Sequence, residues 1–216
     1  MDPSPGSTAM RTVRFGLGRG LRIDADITQH KHLLVGLYEL ELNRWLRRLC
    51  RPGYTAYDVG GQLGYDALVL AKRTNGRVIT FECEAIWCRS IRRALAANPA
   101  LGSRIEIVEA TVADRDDASG TIVTLDAQSA EIGWDPDIVK LDVEGAELKV
   151  LAGAARMIER RHPHLIVEVH SAELELACGT WLVRRGYRPR VVSQRRFLPD
   201  RRPTIHNRWL VAVGTW

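Results

Sequence analysis

The sequence lacks any long apolar run. Of its 216 residues, 45% are hydrophobic, yet no stretch approaches the roughly 20 consecutive apolar residues of a membrane-spanning helix. Residues 1–10 are rich in Pro, Ser and Gly and lack the basic-then-apolar order of a signal peptide, which indicates a disordered tail. We therefore expect a cytoplasmic protein in which residues 11–216 form a single domain.

Cysteine is scarce as well. The four cysteines, Cys50, Cys83, Cys88 and Cys178, are widely spaced and form no C-x-x-C pair. Their spacing indicates neither a zinc site nor a redox motif, so we predict no metal ligands among them. Reduced thiols are typical of cytoplasmic proteins.

Lysine is rare, and arginine supplies most of the positive charge. The net charge is +5, and from Leu151 onward the chain has 12 arginines and no lysine against 5 acidic residues. Such a basic region can contact nucleic acid or anionic lipid. These arginines are dispersed, with few aromatics between them, so we favour a solvated surface over a nucleic-acid interface.

What the sequence does contain is an alternation of strand and helix patterns. The predicted strands are Tyr54–Val59, Arg77–Glu82, Arg104–Val108, Asp137–Leu141 and His164–Val169, then Arg188–Ser193 and Arg208–Val213. Helical spacing marks Gly64–Arg73, Ala85–Ala97, Ala146–Ile158 and a segment around Trp181. This order predicts an α/β fold, with a doubly wound, mostly parallel seven-stranded sheet.

The two ends of the domain depart from that alternation. The last two strands follow each other without room for a helix, so one strand near the C-terminus should be antiparallel. Thr121–Thr124 could add a short edge strand. Residues 11–50 form a small N-terminal cover, with a hairpin or irregular segment at Val13–Ile23 and a helix at Tyr38–Leu49. Residues 51–216 form the Rossmann-like core.

A glycine-rich loop, Asp58–Tyr65, follows the first core strand. Gly60 and Gly61 permit a tight turn close to a ligand, and Gly64 lets a helix begin directly beside the strand. The spacing is G-G-x-x-G, whereas the dinucleotide fingerprint is G-x-G-x-x-G. Asp58 suits a cationic amino-acid group better than a pyrophosphate. The loop therefore predicts a nucleoside-type ligand that also has an amino-acid part.

Polar residues also end three later strands. Glu82 follows the second strand, where a carboxylate can accept hydrogen bonds from both ribose hydroxyls. The others alternate along the chain where a buried strand should be apolar unless it faces a site, and they are Lys140, Asp142, Glu144, Glu168 and His170. Helix capping explains one or two of these acids, but not the whole alternation.

These segments together resemble the FkbM family of methyltransferases. That family has a G-x-Y-E segment, a D-[IV]-G-A-N-x-G-Y loop, F-E-P, T-L-D, K-x-D-[VI]-E-G-x-E and E-x-H. This chain shows, in that order, Gly36–Glu39, Asp58–Tyr65, Phe81-Glu82, Thr124–Asp126, Lys140–Glu147 and Glu168–His170. The Lys140–Glu147 run is the most specific match. The chain departs at Gly61 and Gln62, where Ala-Asn is usual, and at Cys83, where Pro is usual.

The resemblance implies a class I methyltransferase fold and S-adenosylmethionine as cofactor. It implies O-methylation of a hydroxyl on a sugar, glycolipid or polyketide-like acceptor, with a small-molecule or glycan partner rather than nucleic acid. The residues predicted to bind the cofactor are Glu39, Asp58, Gly60, Gly61, Gln62, Gly64, Tyr65, Glu82 and Asp142.

A hydroxyl is a poor nucleophile while it is protonated, so a nearby base should assist methyl transfer. The predicted catalytic residues are His170, Asp142, Glu144, Glu168 and Lys140. Among them, His170 has the intrinsic pKa best matched to neutral pH. The carboxylates could instead hold Mg²⁺, which ranks lower because nothing in the sequence fixes a coordination geometry.

Two other functions stay open at this point. A nicotinamide-dependent oxidoreductase is disfavoured by the missing dinucleotide fingerprint. A non-catalytic binding module on the same fold would use the basic C-terminal third to hold a partner, and Gln62 in the loop is the feature that most favours it.

Overall fold

A computed structural model describes residues 8–195 and 206–215. Within them the strands are β1 (Ala9–Thr12), β2 (Arg22–Ala25), β3 (Ala56–Val59), β4 (Val78–Phe81), β5 (Ile105–Val108), β6 (Thr111–Val112), β7 (Ile122–Val123), β8 (Ile138–Leu141), β9 (His164–Val169), β10 (Arg190–Ser193) and β11 (Arg208–Ala212). The α-helices are α1 (Ile27–Leu34), α2 (Asn43–Leu49), α3 (Tyr65–Thr74), α4 (Ala85–Ala97), α5 (Pro99–Gly102), α6 (Leu125–Ile132), α7 (Glu147–Ala152), α8 (Ala155–Arg161) and α9 (Ala172–Val183). A 3₁₀ turn at Leu40–Leu42 precedes α2.

The central sheet has seven strands in the order β10-β11-β9-β8-β3-β4-β5. Strand β11 runs antiparallel to both of its neighbours, and the other pairs are parallel. The predicted doubly wound sheet with one antiparallel strand near the C-terminus is therefore confirmed. The chain builds β3, β4 and β5 outward in one direction and then returns to place β8 on the other side of β3, so the sheet reverses its order between β3 and β8.

Apolar residues cover both faces of this sheet. Every residue of β3, β4, β8 and β9 is buried, which explains why these strands read as nearly continuous apolar runs. One face packs against the N-terminal cover and helices α2, α3 and α4. The opposite face packs against α6, α7, α8 and α9. Polar side chains in such strands therefore need a local explanation.

The predicted helix Ala146–Ile158 is two helices. α7 ends at Ala152 and α8 begins at Ala155, because Gly153 is pressed against a neighbouring loop: a Cβ there would lie 2.0 Å from the carbonyl oxygen of Ala113. The carbonyl of Gly153 also accepts a hydrogen bond from the backbone N–H of Asp126. The carboxylate of Asp126 accepts from the backbone N–H groups of Arg156 and Met157, so α8 begins as a separate, capped helix.

Two further segments differ from the prediction. Strand β7 lies within Thr121–Thr124, but it pairs in parallel with β6 in a separate two-stranded sheet and does not extend the main sheet. Strand β1 starts at Ala9, inside the predicted tail, and forms an antiparallel hairpin with β2. Residues 1–7 of that tail lie outside the described residues. No helix in the described part of the chain is long and apolar enough to cross a membrane.

Candidate active site at the carboxyl edge of the sheet

The glycine loop lies where the sheet reverses its order, between the carboxyl ends of β3 and β8. The N–H groups of Gly60 and Gly61 donate to the carbonyl of Phe81 at 3.0 and 3.1 Å, and the N–H of Asp142 donates to the carbonyl of Val59 at 2.9 Å. Gly60 has φ +96°, and a Cβ on it would lie 1.8 Å from the carbonyl oxygen of Asp142. Only glycine fits there.

Of the two unusual loop residues, Gly61 has a structural explanation and Gln62 has none. A Cβ on Gly61 would lie 2.3 Å from the hydroxyl oxygen of Thr80, and that hydroxyl donates to Asp58 at 3.0 Å. Thr80 therefore takes the space that an alanine methyl group would need. Gln62 adopts φ +42°, a conformation that Asn tolerates better than Gln. Its backbone N–H donates to Glu82 at 2.9 Å.

A cleft with a volume of about 210 Å³ opens in front of this loop. Glu82 lines it and is almost fully buried, with its second carboxylate oxygen accepting from the N–H of Glu84 at 2.8 Å. The apolar side chains of Trp87, Val112 and Val143 form its walls. Each oxygen of Glu82 accepts one of these N–H bonds and retains a further lone pair. A buried carboxylate beside apolar walls suits a nucleoside, whose sugar hydroxyls donate and whose base is flat.

A buried ion-pair group lies on the cover side of the loop. The Lys140 ammonium contacts Asp66 at 2.9 Å and both oxygens of Glu39 at 3.3 Å. Burial lowers the pKa of Lys140, but the carboxylates of Asp66 and Glu39 outweigh it and hold that pKa well above its usual value. Burial raises the pKa of Asp58 to about 8; Asp66 adds to this effect and Lys140 opposes it. Lys140 is therefore a fixed cation and not a proton acceptor.

Tyr65 lies at the start of α3, beneath the N-terminal cover. Its ring meets that of Tyr38 edge-on at 5.6 Å between centroids, and it packs closely against Gly18. Glu39 reaches Lys140 because its own backbone turns with φ +42° just before the 3₁₀ turn. The cover thereby contacts the sheet edge through both an aromatic pair and an ion pair.

His170 follows β9 and is surrounded by carboxylates. Its Nδ1 lies 2.5 Å from Oε1 of Glu147, which is fully buried and also accepts from the N–H of Gly145. Its Nε2 lies 3.4 Å from Glu144 and 3.5 Å from Asp142. Burial lowers the pKa of His170, but the hydrogen bond to Glu147 and the nearby carboxylates outweigh burial and raise it. We call His170, Asp142, Glu144 and Glu147 the His170 cluster.

Glu168, the remaining predicted residue, is less exposed to solvent than Glu144. It is 3.8 Å from Nε2 of His170, fully buried, and accepts a hydrogen bond from the indole of Trp209 at 3.0 Å. Glu144, by contrast, is 68% exposed and has φ +48°. The structure thus brings Asp142, Glu144 and Glu168 around one imidazole, while Lys140 is paired with Glu39 and Asp66.

Sequence reasoning did not identify three residues that complete these groups. Asp66 directly follows the predicted loop, and its position one residue after Tyr65 was the available signal. Glu147 lies inside the quoted K-x-D-x-E-G-x-E run but was not predicted as a site residue. Thr80 and its hydrogen bond to Asp58 had no signal, because a threonine in a strand is ordinary.

Comparison with known proteins also points to methyltransferases. Residues 121–189 match the methyltransferase FkbM domain. The crystal structure of the methyltransferase FkbM from Methylobacillus flagellatus superposes with a TM-score of 0.61 at 19% identity, covering 87% of this chain and 55% of that one. The chain therefore spans about half the length of that protein. A search of curated proteins gives no match.

Two other solved structures share the fold and hold a bound ligand. Aeropyrum pernix fibrillarin, in complex with S-adenosyl-L-methionine, gives a TM-score of 0.57 at 15% identity, with 76% of this chain and 68% of that chain covered. A Pyrococcus abyssi tRNA (uracil-54, C5)-methyltransferase, in complex with S-adenosyl-L-homocysteine, gives 0.53 at 19% identity and covers 82% and 38%. At these identities the likeness establishes the fold. The predicted resemblance is confirmed within residues 121–189, which match the methyltransferase FkbM domain, and the fold is that of class I methyltransferases.

Proposed function

We propose that this protein is an S-adenosylmethionine-dependent O-methyltransferase acting on a hydroxyl of a sugar, glycolipid or polyketide-like acceptor. One observation supports this most strongly. Asp142 and Glu144 line the same cleft as Glu82 and the glycine loop, and both lie within 3.5 Å of Nε2 of His170. The cleft that we assign to the nucleoside and a group able to assist proton loss are therefore adjacent.

The residues of the cleft fit the parts of S-adenosylmethionine. The free lone pairs of Glu82 accept from the ribose hydroxyls, and Trp87 and Val112 hold the adenine. The buried side chain of Asp142 lines the cleft and would favour the positively charged end of the ligand, and Asp58 begins the glycine loop. When bound, this cofactor supplies a methyl group on a positively charged sulfur. Lys140 positions Glu39 and Asp66 rather than taking part in the chemistry.

Methyl transfer to a hydroxyl forms a C–O bond, breaks the C–S bond and releases one proton. The His170 cluster is where this chain can lower the cost of that proton loss, because it combines an imidazole with three carboxylates. Asp142 and Glu144 also face the cleft, so the acceptor oxygen and the methyl carbon can meet there.

The nature of the acceptor is supported by the surface of the N-terminal cover. Phe15, Val35 and Leu40 are exposed on it, and Glu39 connects that cover to the site. An acceptor with both hydroxyls and an apolar part would match this combination. The four cysteines are free, which agrees with a cytoplasmic location.

Calorimetric titration with S-adenosylmethionine, followed by labelled-methyl transfer to a panel of glycans, glycolipids and polyketides, tests the proposal. We expect cofactor binding in the wild type and about tenfold to hundredfold weaker binding in Glu82→Gln, which loses a charged acceptor. Glu106→Gln, an exposed change on β5, should bind normally. Thermal stabilisation by NADH but not by S-adenosylmethionine would overturn the proposal in favour of an oxidoreductase.

A further inference from the structure

We infer that the His170 cluster binds one divalent first-row metal ion, with Nε2 of His170 and one carboxylate oxygen each of Asp142 and Glu144 as protein ligands. The inference rests on the proposed function for the role of the ion. Its binding is argued from the geometry of the described residues alone.

The three ligand atoms are spaced as neighbours around a single ion. They all lie within 4.8 Å of one another, and the two distances from Nε2 are 3.4 and 3.5 Å. Two atoms bound to one cation at about 2.2–2.4 Å and at right angles are about 3.1–3.4 Å apart. The observed spacing is therefore close to that of two ligands sharing an ion.

The imidazole is held in the orientation that a metal ligand needs. Its Nδ1 is taken by Oε1 of Glu147, and Nε2 makes no hydrogen bond to any described residue, although the side chain is only 9% exposed. A carboxylate that binds the far nitrogen of a ligating histidine fixes its tautomer and its ring plane. Glu147 itself is fully buried, and its Oε2 has no hydrogen-bond partner among the described residues.

A proton on Nε2 accounts for this arrangement less well. One N–H forms a hydrogen bond at about 2.9 Å in one direction. Here the nearest carboxylate oxygens are at 3.4, 3.5 and 3.8 Å, on Glu144, Asp142 and Glu168, and none has hydrogen-bond geometry. A small cation between them would contact two of these oxygens and the nitrogen at once.

The site is also open to solvent on one side. The side chain of Glu144 is 68% exposed, and Glu144 and Gly145 both have positive φ, so the chain bends outward after Asp142. Asp142 and Glu144 line the proposed cofactor cleft. An ion can therefore enter from solvent and still lie beside the acceptor. A donor set of one imidazole and two carboxylates suits Mn²⁺ better than Mg²⁺, which prefers oxygen ligands alone.

The ion would act on the acceptor hydroxyl. When the hydroxyl oxygen binds the cation, its O–H bond breaks more easily and the proton passes to the second carboxylate oxygen of Glu144 and then to water. The oxygen then forms the new C–O bond as the C–S bond of the cofactor breaks, with its electron pair remaining on sulfur.

Mn²⁺ binding to the full chain, without cofactor or acceptor, tests the inference. The electron paramagnetic resonance signal of free Mn²⁺ should fall as protein is added, with one ion bound per chain. We expect Glu144→Gln and His170→Gln to weaken binding at least tenfold. Glu159→Gln, which alters a similarly exposed acid on α8, should bind like the wild type.

Two results would overturn the inference. One is a free-ion signal that the wild-type protein does not reduce at millimolar concentration. The other is wild-type affinity in both Glu144→Gln and His170→Gln. Since the side chain of Glu144 is mostly exposed, its variant should fold, and circular dichroism checks this. Calorimetry with S-adenosylmethionine on the same samples separates the two proposals: cofactor binding without Mn²⁺ binding rejects only the metal site.

Discussion

At the scale of single residues, His170 is the most informative side chain of the site. Its ring lies among carboxylates from three segments, the turn after β8, the start of α7 and the end of β9. The residues that the sequence predicts near it, Asp142, Glu144 and Glu168, are all within 4 Å of the imidazole. The alternation along the chain indicated these neighbours, because the carboxyl ends of adjacent parallel strands share one edge.

Replacing His170 tests its part in the reaction. We expect His170→Ala to lower turnover about 100-fold or more, since the group that assists proton loss is removed. The affinity for S-adenosylmethionine should change less than threefold. Steady-state kinetics and calorimetry measure the two effects. His162→Ala, which alters a histidine just before β9 at the opposite edge of the sheet, is the control, and equal turnover in both variants would remove His170 from the mechanism.

Asp58 offers a test by pH. Burial raises its pKa in the folded protein to about 8, well above the value of about 4 in an unfolded chain. The folded state therefore holds this proton more tightly, and the contribution of Asp58 to stability falls as the pH rises from about 4 to about 8. We expect Asp58→Asn to raise the melting temperature more at pH 8 than at pH 5, and to weaken cofactor binding. An equal shift at both pH values would contradict this explanation.

At the scale of elements, the glycine loop and the turn after β8 are packed backbone against backbone. Gly60 and Asp142 come from different strands, and they approach so closely that the loop conformation and the position of Asp142 depend on each other. The sequence predicted that Gly60 allows a close approach, but it indicated a ligand as the neighbour. The structure shows that the protein's own Asp142 carbonyl lies against Gly60, which also lines the cleft.

Gly60→Ala should therefore disturb both the glycine loop and the turn that holds Asp142. We expect a loss of about 2–4 kcal/mol in the free energy of unfolding, because the new methyl group must push Asp142 away. Gly133→Ala is a matched control: its φ is also positive, at +81°, but no atom lies within 4 Å of its Cβ. That variant should lose only about 1–2 kcal/mol. Urea unfolding compares the two, and equal losses would show that backbone conformation alone matters.

At the scale of the whole molecule, the sequence predicted the sheet but not the contact between the sheet and the N-terminal cover. Strand patterns are local. Short apolar runs that alternate with helical segments therefore predict β3, β4, β5, β8 and β9. Glu39 and Lys140 are 101 residues apart, and nothing local indicates that they meet. The resemblance placed both in motifs, and Glu39 was predicted to bind the cofactor and Lys140 to act in catalysis; the structure adds that they pair with each other.

This ion pair can be tested as a connection between the cover and the core. Lys140→Met leaves Glu39 and Asp66 buried without their cation, and we expect a loss of about 3–5 kcal/mol in unfolding free energy. Adding Glu39→Gln should recover part of that loss, because one uncompensated charge is removed. Urea unfolding of the single and double variants measures the recovery. Additive losses would show that the two residues do not interact.

The reversal of strand order between β3 and β8 has a consequence for synthesis on the ribosome. Strand β3 ends at Val59, and β8, which pairs with one of its two edges, does not begin until Ile138. During the intervening stretch, β3, β4 and β5 can assemble with an unpaired, apolar edge, which is the kind of surface that promotes aggregation. A nascent chain arrested before β8 should therefore depend on chaperones far more than one that extends beyond it.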